Sequence, residues 1–219
     1  MAGRQHGVVS AVQLGGLGLS GAAIRRWTVS GRLHRLHRGV YAVGHPSLTG
    51  HGRWLAAVLA CGPAALLSHA SAAALWGLRP TSRALIDVTA ASATKRSGLT
   101  VHRARHLSDD DRSERHGIPV TAIPRTLLDL AAVLPARSVA RAWEEADRLR
   151  LLDVRAMRAT SARTPGHHGL PTLLSLMART IRLTHRRLVD EPHAVVGELR
   201  ALLGSRRSQK GLVDLSVKD

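Results

Sequence analysis

Along the first half of the chain, apolar residues change their spacing in a fixed order. In "VVSAVQLGGLGLSGAAIRRWTVSGRL", Ser10 stands ahead of Ala11-Val12-Gln13. That is the spacing of a capping box, with the Ser hydroxyl accepting from the third amide and Gln13 reaching back. It predicts a helix kept short by Gly15, Gly16 and Gly18. Ser20 is a second N-cap, for a helix from about Gly21 to Ser30 that Gly31 ends. Ile24, Trp27 and Thr28 share one face at the i, i+3, i+4 spacing, while Arg25 and Arg26 point away from it with Val29 near them. A short helix, a glycine turn and a second helix with a basic outer face are the parts of a helix-turn-helix, whose second helix enters the major groove.

The next stretch, "RLHRLHRGVYAV", has β-favouring segments on either side of Arg38-Gly39 and predicts a hairpin, placed as a wing. A period-two strand would put Arg32, His34, Leu36 and Arg38 on one side. Leu33, Arg35 and His37 would be on the other. Both faces would carry positive charge, as suits a ribbon lying against DNA.

From residue 46 the pattern is that of a mixed helical and short-strand domain. "GRWLAAVLACGPAALL" is helical and broken at Gly62-Pro63; Ser68 caps a second helix that Gly77 ends. Strands are expected at Leu85–Thr89, Leu99–Arg103 and near Arg112–His116. "IPVT" leads into a helix from Pro124, Pro135 precedes the long helix "RSVARAWEEADRLRLL", and Asp153 caps one more. Trp54, Leu55, Leu75, Trp76, Leu127, Leu128 and Trp143 are the expected core. The fold class is thus α+β, with a winged helix-turn-helix ahead of the mixed domain.

Charge sharpens this picture. The 219 residues carry 32 Lys and Arg against 15 Asp and Glu, a formal net charge of +17. The first acidic residue is Asp87, so the N-terminal segment carries the strongest bias. Such a surface attracts polyanions, nucleic acid first among them. No apolar run is long enough to span a bilayer, nor does the N-terminus have the pattern of a signal peptide. With a single cysteine, Cys61, no intramolecular disulfide can form, and a cytoplasmic protein is expected.

Other constellations point less far. Ser68, His69 and Asp87 are the residue types of a hydrolase triad, but no nucleophile-elbow motif surrounds the serine. His34, His37, His45 and His51 match no zinc spacing, and no cysteine joins them. His167-His168 falls in a glycine-flanked loop and is expected in solvent. With one Tyr and no Phe, base-stacking platforms are poorly supplied. No catalytic residue, metal or cofactor is expected.

"RQHGVVSAVQLGGLGLSGAAIRRWTVSGRLHRLHRGVYAVGHP" resembles the N-terminal winged helix of AbiEi-type antitoxins, which belong to type IV toxin–antitoxin systems and are common in actinobacteria. The resemblance continues through "RWLAAVLACGPAALLSHASAAALWGL", "GLTVHRARHLSDDD", "GIPVTAIPRTLLDLAAVLP" and "AWEEADRLRLLD", covering about residues 4–179. It implies double-stranded DNA as partner, usually the promoter of the protein's own operon, and a nucleotidyltransferase-like toxin opposed by the second domain. Expected domains are 1–45, 46–179 and a basic, poorly ordered tail at 180–219. Expected DNA contacts are Ser20, Arg25, Arg26, Arg32, Arg35, His37 and Arg38.

Two departures stand out. Only six residues precede Gly7, where helix one of such a fold should lie, so that helix is truncated or the start codon is assigned too late. Many relatives carry a C-terminal domain like very-short-patch-repair endonucleases. The last forty residues cannot hold it, and Asp190, Glu191 and Asp214 lack a partner arrangement. A frameshift or truncated reading frame would account for that. Two alternatives therefore stay open: a remnant of a longer endonuclease-domain protein, and a toxin-opposing module without specific DNA binding. Operator sequence and oligomeric state are not legible.

Overall fold

A computed structural model of the chain describes residues 2–92, 95–104 and 107–190. The chain divides after Leu173. Residues up to Leu173 form one compact unit, and the described part of the second is the remainder of one helix.

The N-terminal part begins with a 3-10 turn at Ala2–Gln5, in the place where helix one was expected. Then come β1 (Val8–Ser10), α1 (Ala11–Gly16), α2 (Gly21–Val29), β2 (Leu33–His37) and β3 (Val40–Val43). The capping box forms as the spacing predicts. Gln13 N donates to Ser10 Oγ at 3.2 Å, and Ser10 N donates to Gln13 Oε1 at 2.9 Å. Gly31 and Gly39 take left-handed φ of 72° and 75°, one after α2 and one in the hairpin turn, where a Cβ would be strained.

The three strands form an antiparallel sheet in the order β1-β3-β2. Val9 lies opposite Tyr41, and Tyr41 opposite Arg35. The register shifts between Arg35 and His37, so Leu36 is a bulge. Strict period-two alternation is therefore broken at Leu36. Below the bulge Leu33 is buried with Val9, Leu14 and Ile24; at the bulge Leu36 is partly buried against the larger cluster that includes Val8, Val40 and Leu55. The extra residue sets two residues of β2 against one of β3 and bends the strand there.

The remaining elements are α3 (Gly50–Cys61), β4 (Leu66–Leu67), α4 (His69–Trp76), β5 (Ile86–Ala90), β6 (Leu99–Arg103), β7 (Arg112–Arg115), β8 (Ile118–Thr121), α5 (Ile123–Val133), α6 (Ala136–Arg148), α7 (Val154–Arg163) and α8 (Leu170–Asp190). The mixed sheet has the order β6-β5-β4-β8-β7. Leu66–Leu67, expected to continue a helix, instead forms the central strand β4, flanked by β5 and β8. Two residues show no periodicity, and only their neighbours make them a strand.

Helix α3 touches both sheets. Buried Gly52 permits this, since a Cβ there would meet the His6 carbonyl oxygen at 3.0 Å. Val8 and Val40 of the first sheet share a core cluster with Leu55, Leu67, Val88 and Val120. The winged helix-turn-helix and the mixed sheet are thus joined by continuous apolar packing within the first unit. Leu55, Leu75, Leu127, Leu128 and Trp143 are buried as expected, while Trp54 and Trp76 are partly buried against the core. The backbone of α8 stays helical to Asp190, past the boundary expected at 179. The expected helix "PHAVVGELRALLG", Glu191 and Asp214 lie outside the described residues.

Candidate nucleic-acid interface

Local chemistry builds the basic face of α2. Ser20 starts the helix, its Oγ accepting from Ala23 N at 3.2 Å. Ile24 is buried and anchors the inner side, with Leu19 and Trp27 packed beside it. That fixes the rotation of the helix and leaves Ala22, Arg25, Arg26 and Val29 outside. These four and Ser30 line a concavity of about 440 Å³. Arg25 leans back along the helix, with Nη1 3.9 Å from where a Cβ on Gly21 would stand. Among the described residues no carboxylate pairs with Arg25 or Arg26 within 4.0 Å, and the sequence before Asp87 supplies none.

The hairpin distributes the other expected contacts. Arg32 precedes β2, exposed, with its guanidinium 6.0 Å from the Trp27 ring centre. Arg35 is exposed on β2, and Arg38 is exposed at the turn. The turn does not project far. Ser10 still pairs with Val40, and Ala11 N donates to the Gly39 carbonyl at 2.8 Å. His37 is half-buried. Its imidazole pKa is held below the ordinary value, first by burial and then by the charge of Arg96 from the loop before β6. His37 is thus less open to solvent than Arg32, Arg35 and Arg38. Ser20 enters as a helix cap. Arg96 was missed by sequence reasoning because its proximity to the hairpin is purely tertiary.

The other chemistry-bearing clusters sit elsewhere. Ser68 is fully buried, and its Oγ is hydrogen-bonded to His69 Nδ1 at 3.0 Å. It occupies the N-cap position of α4 but makes no side-chain cap bond, contrary to the sequence expectation. Asp87 receives its hydrogen bond from His102 Nε2 at 2.9 Å, not from His69. A buried serine whose histidine lacks the aspartate is not a triad. His167, expected in solvent, is half-buried with Nε2 3.4 Å from Asp129 Oδ1. Arg125 Nε donates to the same oxygen at 2.8 Å. Burial pushes the Asp129 carboxyl up, but His167, His69 and Arg125 outweigh it and hold its pKa below the usual carboxylate range.

His51 joins the rings of His6 and His116, at centre distances of 5.4 and 5.1 Å, rather than those of His34, His37 or His45. Among the described residues no group of three His, Cys, Asp or Glu side chains is placed to hold a metal ion, and no helix is long and apolar enough to cross a membrane.

The helix-turn-helix and hairpin fall inside one match to a known family. Residues 2–44 match the family described as transcriptional regulator, AbiEi antitoxin. That is a family of regulators and not of enzymes. The match covers the same segment that carries the exposed arginines, and it agrees with the winged-helix order of β1, α1, α2, β2 and β3. No curated protein matches the chain.

Proposed function

We propose that this chain is a DNA-binding antitoxin that represses transcription from the promoter of its own operon. The observation that carries the reading is the pair Arg25 and Arg26, without carboxylate partners among the described residues, on the outer face of a capped second helix in a segment of AbiEi antitoxin type. A buried inner face and a basic outer face are what a recognition helix needs: one fixes the rotation, the other meets phosphates and guanine edges. Arg35 and Arg38 add contacts from the hairpin. The mixed sheet and its helices hold the winged helix through α3 and offer the surface that opposes a nucleotidyltransferase-like toxin in the cytoplasm.

The test is a binding titration against the duplex upstream of the gene, over a range of salt. Tight binding with an affinity that falls steeply with salt is expected. Replacing Arg25 and Arg26 together by Glu should weaken it at least about tenfold. A double variant that binds as tightly as the parent would refute the helix assignment.

A further inference from the structure

We propose that Val29 is a specificity-determining residue that reads thymine in the major groove through the C5-methyl group. The proposal rests on the DNA-binding reading of α2. It adds that part of the operator's sequence is read by an apolar contact and not by the arginines.

Val29 is 91% exposed, the most exposed large apolar side chain among the described residues. Nothing in the helix itself calls for it. A β-branched residue is a poor helix former, and in solvent it contributes no burial. Its neighbours on the second half of α2 are occupied elsewhere. Trp27 packs with Ile24 and Leu33. Thr28 Oγ1 donates to the Ile24 carbonyl at 2.9 Å, and Ser30 Oγ donates to the Trp27 carbonyl at 3.3 Å. The two hydroxyls that could read base edges at this end of the helix are therefore turned to the backbone. Val29 is what faces outward, one turn beyond Arg25 and Arg26, in the concavity all three line.

A valine can offer a base pair only an apolar surface. On the major-groove edges the one apolar group is the thymine methyl. The short side chain also sets a geometry. For Val29 to touch a base, α2 must lie deep, and Ala22 at the other end of the same stripe is small enough to permit it. The longer Arg25 and Arg26 then span to guanine edges or phosphates on either side. A protein-docking role suits this surface less. The apolar part is a single valine beside two cations without carboxylate partners, far short of the contiguous patches that bind proteins.

The experiment compares the upstream duplex with the same duplex carrying deoxyuridine in place of thymidine, which removes only the methyl groups. The full chain should bind the thymidine duplex about fourfold more tightly, the factor expected from burying one methyl group. Val29→Ala should bind both duplexes alike, with an unchanged circular dichroism spectrum. Placing single deoxyuridines along the site should then confine the loss to one or two positions. Parent binding indifferent to uracil, or a Val29→Ala variant that keeps the full preference, would overturn the proposal while leaving DNA binding intact. A chain that binds no duplex at all would overturn the DNA-binding reading and this inference with it.

Discussion

The ring of His69 lies stacked on that of His102, centres 3.5 Å apart and planes 15° from parallel. His69 is buried, with left-handed backbone at φ 49°. Burial, with further cost from the charges of His102 and Arg125, lowers its pKa from 6.5 to about 4, against the opposing pull of Asp129 and Asp87. The folded chain thus binds fewer protons here than the unfolded chain between those values. Stability from this site is complete above pH 6.5 and is lost as pH falls towards 4, by about 3 kcal/mol. His51 and His37 are shifted in the same direction, each first by burial. Urea unfolding at pH 7.5, 5.5 and 4.5 should show this loss. His69→Asn, which tolerates the left-handed backbone and cannot titrate, should flatten it. An unchanged slope in the variant would rule His69 out as the source.

Gly169 packs against α5 with no room for a side chain. A Cβ would stand 2.2 Å from the Leu128 carbonyl oxygen and 2.9 Å from both Ala131 Cβ and Ala132 N. Two of these are backbone atoms inside a helix and cannot yield cheaply. Gly169→Ala should therefore cost about 3 kcal/mol or more. Gly15→Ala, in α1 with open space around the new methyl, should be neutral or stabilising by up to about 1 kcal/mol. Denaturant midpoints for the two variants check this, and similar values would contradict the packing argument.

Ser20 separates helix capping from DNA contact. Ser20→Ala removes the bond to Ala23 N and should cost about 1 kcal/mol of stability. Ser20→Asp keeps an acceptor at the N-cap, so stability should hold. It also places a negative charge at the start of the proposed recognition helix, and DNA affinity should drop severalfold at low salt. Melting temperatures and binding titrations on both variants distinguish the two effects. Undiminished affinity in Ser20→Asp would move the DNA away from this end of α2.

Local chemistry was legible in the sequence, and distant pairing was not. Ser10 with Gln13, Ser20, Gly31 and Asp153 marked helix ends because a cap is set by residues three apart or fewer. Leu99–Arg103 was found at its observed limits because β-branched and apolar residues cluster there. Leu66–Leu67 was missed because its strand character comes from Thr89, Val88 and Val120, far along the chain. The bulge at Leu36 was hidden for a related reason. The three-residue step of Leu33 and Leu36 fits neither ideal period, and only the pairing with Val40 and Tyr41 resolves it. In the candidate site, Arg25 and Arg26 were legible from helix periodicity. The half-burial of His37 and its nearness to Arg96, 59 residues on, were not, because both arise only from the tertiary fold. Nor was the network of Asp111, Arg125, Asp129 and Arg163, whose members come from three separate segments.

The shared core makes a further prediction about cooperativity. The order of short helix, turn, second helix and hairpin marked out a DNA-binding domain at residues 1–45. In the structure Val8 and Val40 pack into the same cluster as Leu55 of α3 and Leu67 and Val88 of the mixed sheet. The first sheet has only three short strands and two short helices of its own, too little to bury a core without α3. Its stability therefore depends on elements outside the winged helix. Leu55→Ala should cost about 2–5 kcal/mol, and the cost should be felt on both sides of α3. Native-state hydrogen exchange can read this directly. The amides of Val8 and Val40 and those of Leu67 and Val88 should open in one global event and lose protection equally in the variant. Protection lost in β4 and β5 but kept in β1 and β3 would show that the winged helix folds on its own, and the DNA-binding segment could then be separated without loss.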